Sequence, residues 1–119
     1  MADSILNKVK SYLGVAVEDT AFDPDILMAI NAAIAVLIQF GVDFGGPFVI
    51  ENSTQTWPES VSDWPVALLQ EYVNMKVRTL FDPPTNTYVA NALEKQLDEF
   101  EWRIIVETDK KFYGDGSNG

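Results

Sequence analysis

The chain has 119 residues, 47% hydrophobic and 22% charged, which is enough apolar material for the core of one ordinary domain. It contains no cysteine and no histidine, which excludes disulfides, thiolate nucleophiles, cysteine metal sites and the usual general base near neutral pH. Its net charge is −10, from 18 acidic and 8 basic residues, so it should repel a phosphate backbone rather than grip one. No apolar run is long enough to span a membrane, and the chain does not start with a charged-then-apolar secretory pattern.

Residues 4–13 read as a short amphipathic helix. Asp3 or Ser4 can cap its free N–H groups, and Ile5, Leu6, Val9 and Leu13 form the apolar side. Lys8 and Lys10 fall away from that side, and Gly14 supplies a stop. Residues 15–22 form a connection.

Asp23-Pro24-Asp25 is a helix start: a capping carboxylate, a proline at the first position and a second acid in the first turn. The helix is expected to run to about Phe40, with Ile26, Leu27, Ile30, Ile34, Leu37 and Ile38 facing the core. Its other side is also apolar. Met28, Ala32, Ala35 and Val36 lie there, and Asn31 and Gln39 are its polar members. Two readings cover such a helix: the centre of the fold, or a second copy of the chain.

Residues 44–63 form an insertion of a different kind. Gly45-Gly46-Pro47 is a breaker. The β-prone runs 48–51 and 54–57, separated by Asn52-Ser53, predict a β-hairpin-like element. Phe48, Ile50, Thr54 and Trp57 are its candidate contacts to a neighbour or to a further component. Ser60, Ser62 and Asp63 are candidate caps for the next helix.

The stretch 66–106 predicts two helices that organise the rest. Val66, Leu69, Val73, Val77 and Leu80 recur at helical spacing, as do Val89, Leu93, Leu97, Phe100 and Ile104. Pro83-Pro84 ends the first helix, because neither proline donates a backbone N–H. So short a connection folds the second helix back antiparallel. Leu68, Tyr72, Met75 and Thr79 form a second, rather apolar stripe on the first helix. Tyr88, Trp102 and Val106 do so on the other. Aromatic residues and Met are enriched at contact surfaces, so Tyr72, Met75, Tyr88 and Trp102 join Met28, Ala32, Ala35 and Val36 as candidate subunit-interface residues. The alternative for Trp102 is packing beneath the N-terminal segment.

The fold expected is therefore all-α: a compact bundle of about four helices in a single domain over residues 1–107, with a hairpin-like insertion and an extended tail over 108–119. In the tail, Lys110, Lys111, Phe112 and Tyr113 place two cations and two rings together, a pattern that can order on binding a partner. The alternative is an inert tail.

No phosphate loop, dinucleotide glycine pattern or nucleophile elbow is present. Asp23 and Asp25 lack the rest of a calcium loop, and capping explains both. Glu94, Asp98, Glu99 and Glu101 form an acidic run, which on a helix with an apolar face is a solvated side. The residue types argue for no enzyme, no cofactor and no metal site.

The order of segments resembles the head–tail connector (adaptor) proteins of long-tailed bacteriophages. The resemblance rests on Ile5-Leu6 through Val9-Lys10, Tyr12-Leu13-Gly14, and Thr20-Ala21-Phe22-Asp23 with Asp25-Ile26. It continues through Ile30-Asn31, Gly41-Val42, Tyr72-Val73, Lys76-Val77-Arg78, Leu80-Phe81-Asp82-Pro83-Pro84, Leu97 and Glu101-Trp102-Arg103. It implies a small, non-enzymatic virion protein that forms a homo-oligomeric ring, commonly of twelve copies, beneath the capsid portal. Such a ring extends the DNA channel and offers a docking surface to a stopper or tail-completion protein. Viral double-stranded DNA would pass without sequence-specific binding, and no membrane is involved. The protein would reside at the neck of the virion, and in the host cytoplasm during assembly. The segment 44–63 would contact a neighbour or the next tail component, and the tail from Lys110 to Tyr113 would dock on the portal. A different class of reading, a small acidic regulatory or DNA-mimic protein bound to a basic partner, would need carboxylates spread like phosphates over one face. A carboxylate metalloenzyme is opposed by the lack of histidine.

Overall fold

The structure is a computed structural model, and it describes residues 4–111. Four helices occur in chain order: α1 (Ile5–Leu13), α2 (Asp23–Gln39), α3 (Val66–Phe81) and α4 (Thr87–Asp109), with a single 3-10 turn at Glu59–Val61. The all-α expectation holds.

Local chemistry sets most of the helix ends. The Ser4 hydroxyl accepts the Asn7 N–H at 3.1 Å. Gly14 closes α1 in the left-handed region at φ 81°, where a side chain would be strained. Asn86 caps α4 by accepting the N–H groups of Tyr88 and Val89. Two expected caps are corrected. Asp23 is the first residue of α2 and caps nothing; its carboxylate turns to Lys10. Neither Ser60, Ser62 nor Asp63 caps α3, which starts behind Pro65 without a side-chain cap.

α3 is the central element and packs against each of the other three helices. Two partner pairs link α4 to α3 and the residues just ahead of it, and they step in opposite directions along the chain: Trp64 meets Thr108, and Tyr72 meets Glu101. The α3–α4 hairpin is therefore antiparallel. The core joins Ile5, Leu6 and Val9 of α1 to Ile26, Ile30, Ile34 and Leu37 of α2 and to Leu69, Val73 and Val77 of α3. Ala29 and Ala33 complete the buried side of α2, whereas Leu27 is only half-buried and Ile38 is exposed. The buried stripe is thus rotated slightly from the one expected. Small alanines face α3, which lets the two helices approach closely.

The β-hairpin expected within 44–63 does not form, and no strand occurs among the described residues. Side chains occupy the backbone groups that a ladder would have used. The Asn31 amide donates to the Ile50 carbonyl at 3.1 Å and its oxygen accepts the Ile50 N–H at 2.8 Å. Gln55 donates to the Val49 carbonyl and accepts the N–H groups of Glu51 and Asn52. Its own carbonyl accepts the Ile5 N–H at 3.0 Å. An isolated two-stranded hairpin is marginal in water, and here anchoring to α1 and α2 replaces it. Ile50 is buried, and Phe44 stacks on Phe48 with centroids 5.2 Å apart.

α4 extends to Asp109, past the boundary expected after residue 107. Thr108 is buried, accepting the Trp64 indole N–H at 3.1 Å and donating to the Ile104 carbonyl. The Lys111 ammonium lies 2.8 Å from Asp63 and 4.8 Å from the centroid of the Trp64 ring. Residues 108–111 are therefore part of the packed structure rather than of a tail.

Candidate assembly surfaces

The candidate interface residues separate into two groups. Tyr72 and Met75 are buried in the chain's own core, which corrects their assignment to a free face. The second stripe of α3 is apolar because α4 and Phe40 cover it; the Tyr72 ring lies 6.5 Å from that of Phe40. The Tyr72 hydroxyl donates to Glu101 at 2.9 Å. Burial, and then the adjacent Glu101 carboxylate, holds this phenol well above its usual range, so it stays a neutral donor and fastens α4 to α3.

The other candidates lie outside. Met28 is 71% exposed, Tyr88 83% and Trp102 65%. Ala32 and Ala35 are exposed, and Val36 is half-buried. Trp102 thus does not pack under the N-terminal segment. A large apolar side chain left in water forgoes about 1.5–3 kcal/mol that burial would contribute. Leu80 and Phe22, not anticipated as surface residues, are exposed as well.

Met28, Ala32 and Leu80 border one depression and Trp102 a second, and a third lies apart from them. The first, about 480 Å³, lies between α2 and the end of α3 and is lined by Asp25, Met28, Ala29, Ala32, Leu80 and Phe81. Its end wall has a traceable origin. Lys10, only 1% exposed, donates to the carbonyls of Val17 and Asp19 and pairs with Asp23 at 2.8 Å. That pins the connection ahead of α2, so that Phe22 meets Phe81 edge-on at 5.8 Å. The expectation that Lys10 would point away from the apolar side is corrected: its ammonium is enclosed by oxygens that lie far away in sequence.

The second depression, about 310 Å³, runs between the start of α3 and the end of α4 along Leu68, Trp102 and Val106. The third, about 190 Å³, lies between α1, α3 and α4 and is lined by Tyr12, Arg78, Pro84, Val89, Leu93 and Gln96 among others. Arg78 lines this third depression, and its Nε is buried without a hydrogen-bond partner. Sequence reasoning missed Arg78 as a surface determinant; its only signal was a cation set among the apolar residues of α3.

Of the residues proposed for the 44–63 contact, Ile50 is buried and Phe48 and Trp57 are half-buried, whereas Thr54 is exposed. The Trp57 indole donates to Gln70 at 2.8 Å. Of the proposed docking tail, Lys110 is exposed and 3.6 Å from Glu107, and Lys111 is held by Asp63. Phe112 and Tyr113 lie outside the described residues. Among the described residues no group of acids could hold a metal ion, and no helix is long and apolar enough to cross a membrane.

The family model of the phage connector protein matches residues 5–111, nearly the whole chain. The chain belongs to this family. A search of curated proteins and a search of solved structures found no match. Membership makes the connector a bacteriophage protein whose role is structural, at the junction of head and tail, and whose place is the virion. The matched span includes residues 108–111, in accord with their packing against Trp64 and Asp63.

Proposed function

We propose that copies of this connector form a closed ring, of the twelve copies that the resemblance to head–tail connectors implies, beneath the capsid portal. The ring extends the DNA channel and offers its far side to a stopper or tail-completion protein. The observation that carries this reading is the family match over residues 5–111. Apolar side chains exposed on both α2 and α4 support it, since each copy in a ring needs two different contact faces. A surplus of ten negative charges suits a passage along which double-stranded DNA slides without sequence-specific adhesion.

Lys110 and the residues after it serve the portal contact in this reading, and the loop around Thr54 reaches a neighbour or the next tail component. Removing residues 110–119 leaves α4 whole, and unchanged portal binding would eliminate the docking role of the tail. The decisive experiment mixes the connector with an assembled portal ring from the same phage and measures the sedimented complex. One connector per portal subunit at saturation is expected. No association would overturn the proposal and favour a small acidic regulator of a basic protein.

A further inference from the structure

The Arg78 depression and the Met28 groove lie on opposite sides of the last turn of α3. Arg78 and Leu80 are two residues apart, so they point about 200° apart around the helix axis. Arg78 lines the side toward α1 and α4, and Leu80 lines the side toward α2. The two surfaces also carry complementary charge. Lys10, Arg103, Lys110 and Lys111 are each paired within the chain, and Lys8, Lys76, Arg78 and Lys95 have no ion pair among the described residues. The buried Nε of Arg78 also has no hydrogen-bond partner. An unmet buried donor costs free energy until something supplies an acceptor. Around it stand partly or fully exposed apolar residues: Tyr12, Val89 and Leu93. On the other side, Asp25 is exposed and unpaired among the described residues, beside exposed Met28, Ala32 and Leu80.

We infer that these are the two halves of one copy-to-copy contact, in which Asp25 of one connector pairs with Arg78 of the next. The inference rests on the ring reading and names its contact. Each half is an apolar rim around one charge, the arrangement in which an interfacial Arg–carboxylate pair is desolvated and strong. Because the halves differ and lie nearly opposite, the contact is head-to-tail and propagates around a ring rather than closing as a dimer.

The test uses the full chain, alone and with an assembled portal ring, followed by sedimentation. R78E and D25R are each expected to weaken self-association by about thirtyfold or more, the smallest loss for breaking a buried interfacial charge pair. An equimolar mixture of the two variants should assemble, because with the two alternating every junction carries an opposite pair. The double variant D25R/R78E should assemble by itself. Far-UV circular dichroism establishes that each variant is folded. If R78E is not, R78Q and D25N replace the reversals, and the double neutral variant should be no weaker than either single one. Assembly of R78E and D25R equal to that of the unaltered chain overturns the pair while leaving the ring intact. So does a mixture no better than its components. If the unaltered chain associates with itself under neither condition, the pair and the ring fall together, and one-to-one portal binding then decides the connector role separately.

Discussion

The Lys10 ammonium lies 2.8 Å from the Asp23 carboxylate, inside the fold and thirteen residues away along the chain. It also donates to the carbonyls of Val17 and Asp19. The connection between α1 and α2 has no regular structure of its own, and this cation ties it in place. Lys10→Met should therefore destabilise the connector by about 3 kcal/mol, since it leaves a carboxylate without its cation and two carbonyls without their donor. Asp23→Asn should cost less, because the two carbonyls keep their partner. Urea unfolding of both variants checks the order, and a Lys10→Met loss below that of Asp23→Asn would contradict it.

The Tyr72 hydroxyl gives a pH signature. It remains neutral in the fold because it is buried and faces Glu101, whereas in the unfolded chain it ionises near pH 10. The folded state thus binds the proton more tightly. The stability this contributes is complete below pH 10 and is lost as pH rises above it, toward the raised folded value. Tyr72→Phe should remove part of the alkaline loss of melting temperature. At neutral pH it should cost about 0.5–1.5 kcal/mol, the worth of one hydrogen bond. An unchanged alkaline limb would show that Tyr72 does not control it.

Asn31 holds both backbone groups of Ile50. Asn31→Ala should leave them without partners, at about 1–3 kcal/mol. Amide hydrogen exchange at Ile50 should quicken more than at Ile30 or Val73 in the core. Equal acceleration at all three would mean that the loop and the bundle open as one unit.

Trp102 stands largely in water. Trp102→Ser should leave the stability of the single chain within about 0.5 kcal/mol, as exposed substitutions usually do. Ring assembly on the portal should nevertheless weaken. Full assembly by the variant would remove Trp102 from the contact surface.

Much of this was legible in the residues. Ser4, Gly14, Pro24 and the Pro83-Pro84 pair mark helix boundaries because capping and the missing proline N–H act within a few residues of chain. Period alone separates Met28, Ala32 and Ala35 from Ile30, Ile34 and Leu37 as two faces of α2, although only the structure decides that the two faces are not both covered within the chain. Tyr72 and Met75 looked like surface candidates because periodicity records spacing and not what lies opposite. The 48–57 segment has the composition of a hairpin, but Asn31, from another element, claimed its backbone.

Sequence by itself determined the class of fold, the order of the four helices, the absence of thiol and imidazole chemistry and the membership of a phage connector family. These rest on local hydrogen bonding, hydrophobic period and composition, all short-range or additive. Only the tertiary structure decided that Lys10 is enclosed, that 44–63 is a loop fastened by side chains, that Thr108 belongs to the core and that Arg78 stays unmatched. Each of those depends on which oxygen or ring a side chain meets across the fold, and the partners come from separate elements brought together only by packing on α3.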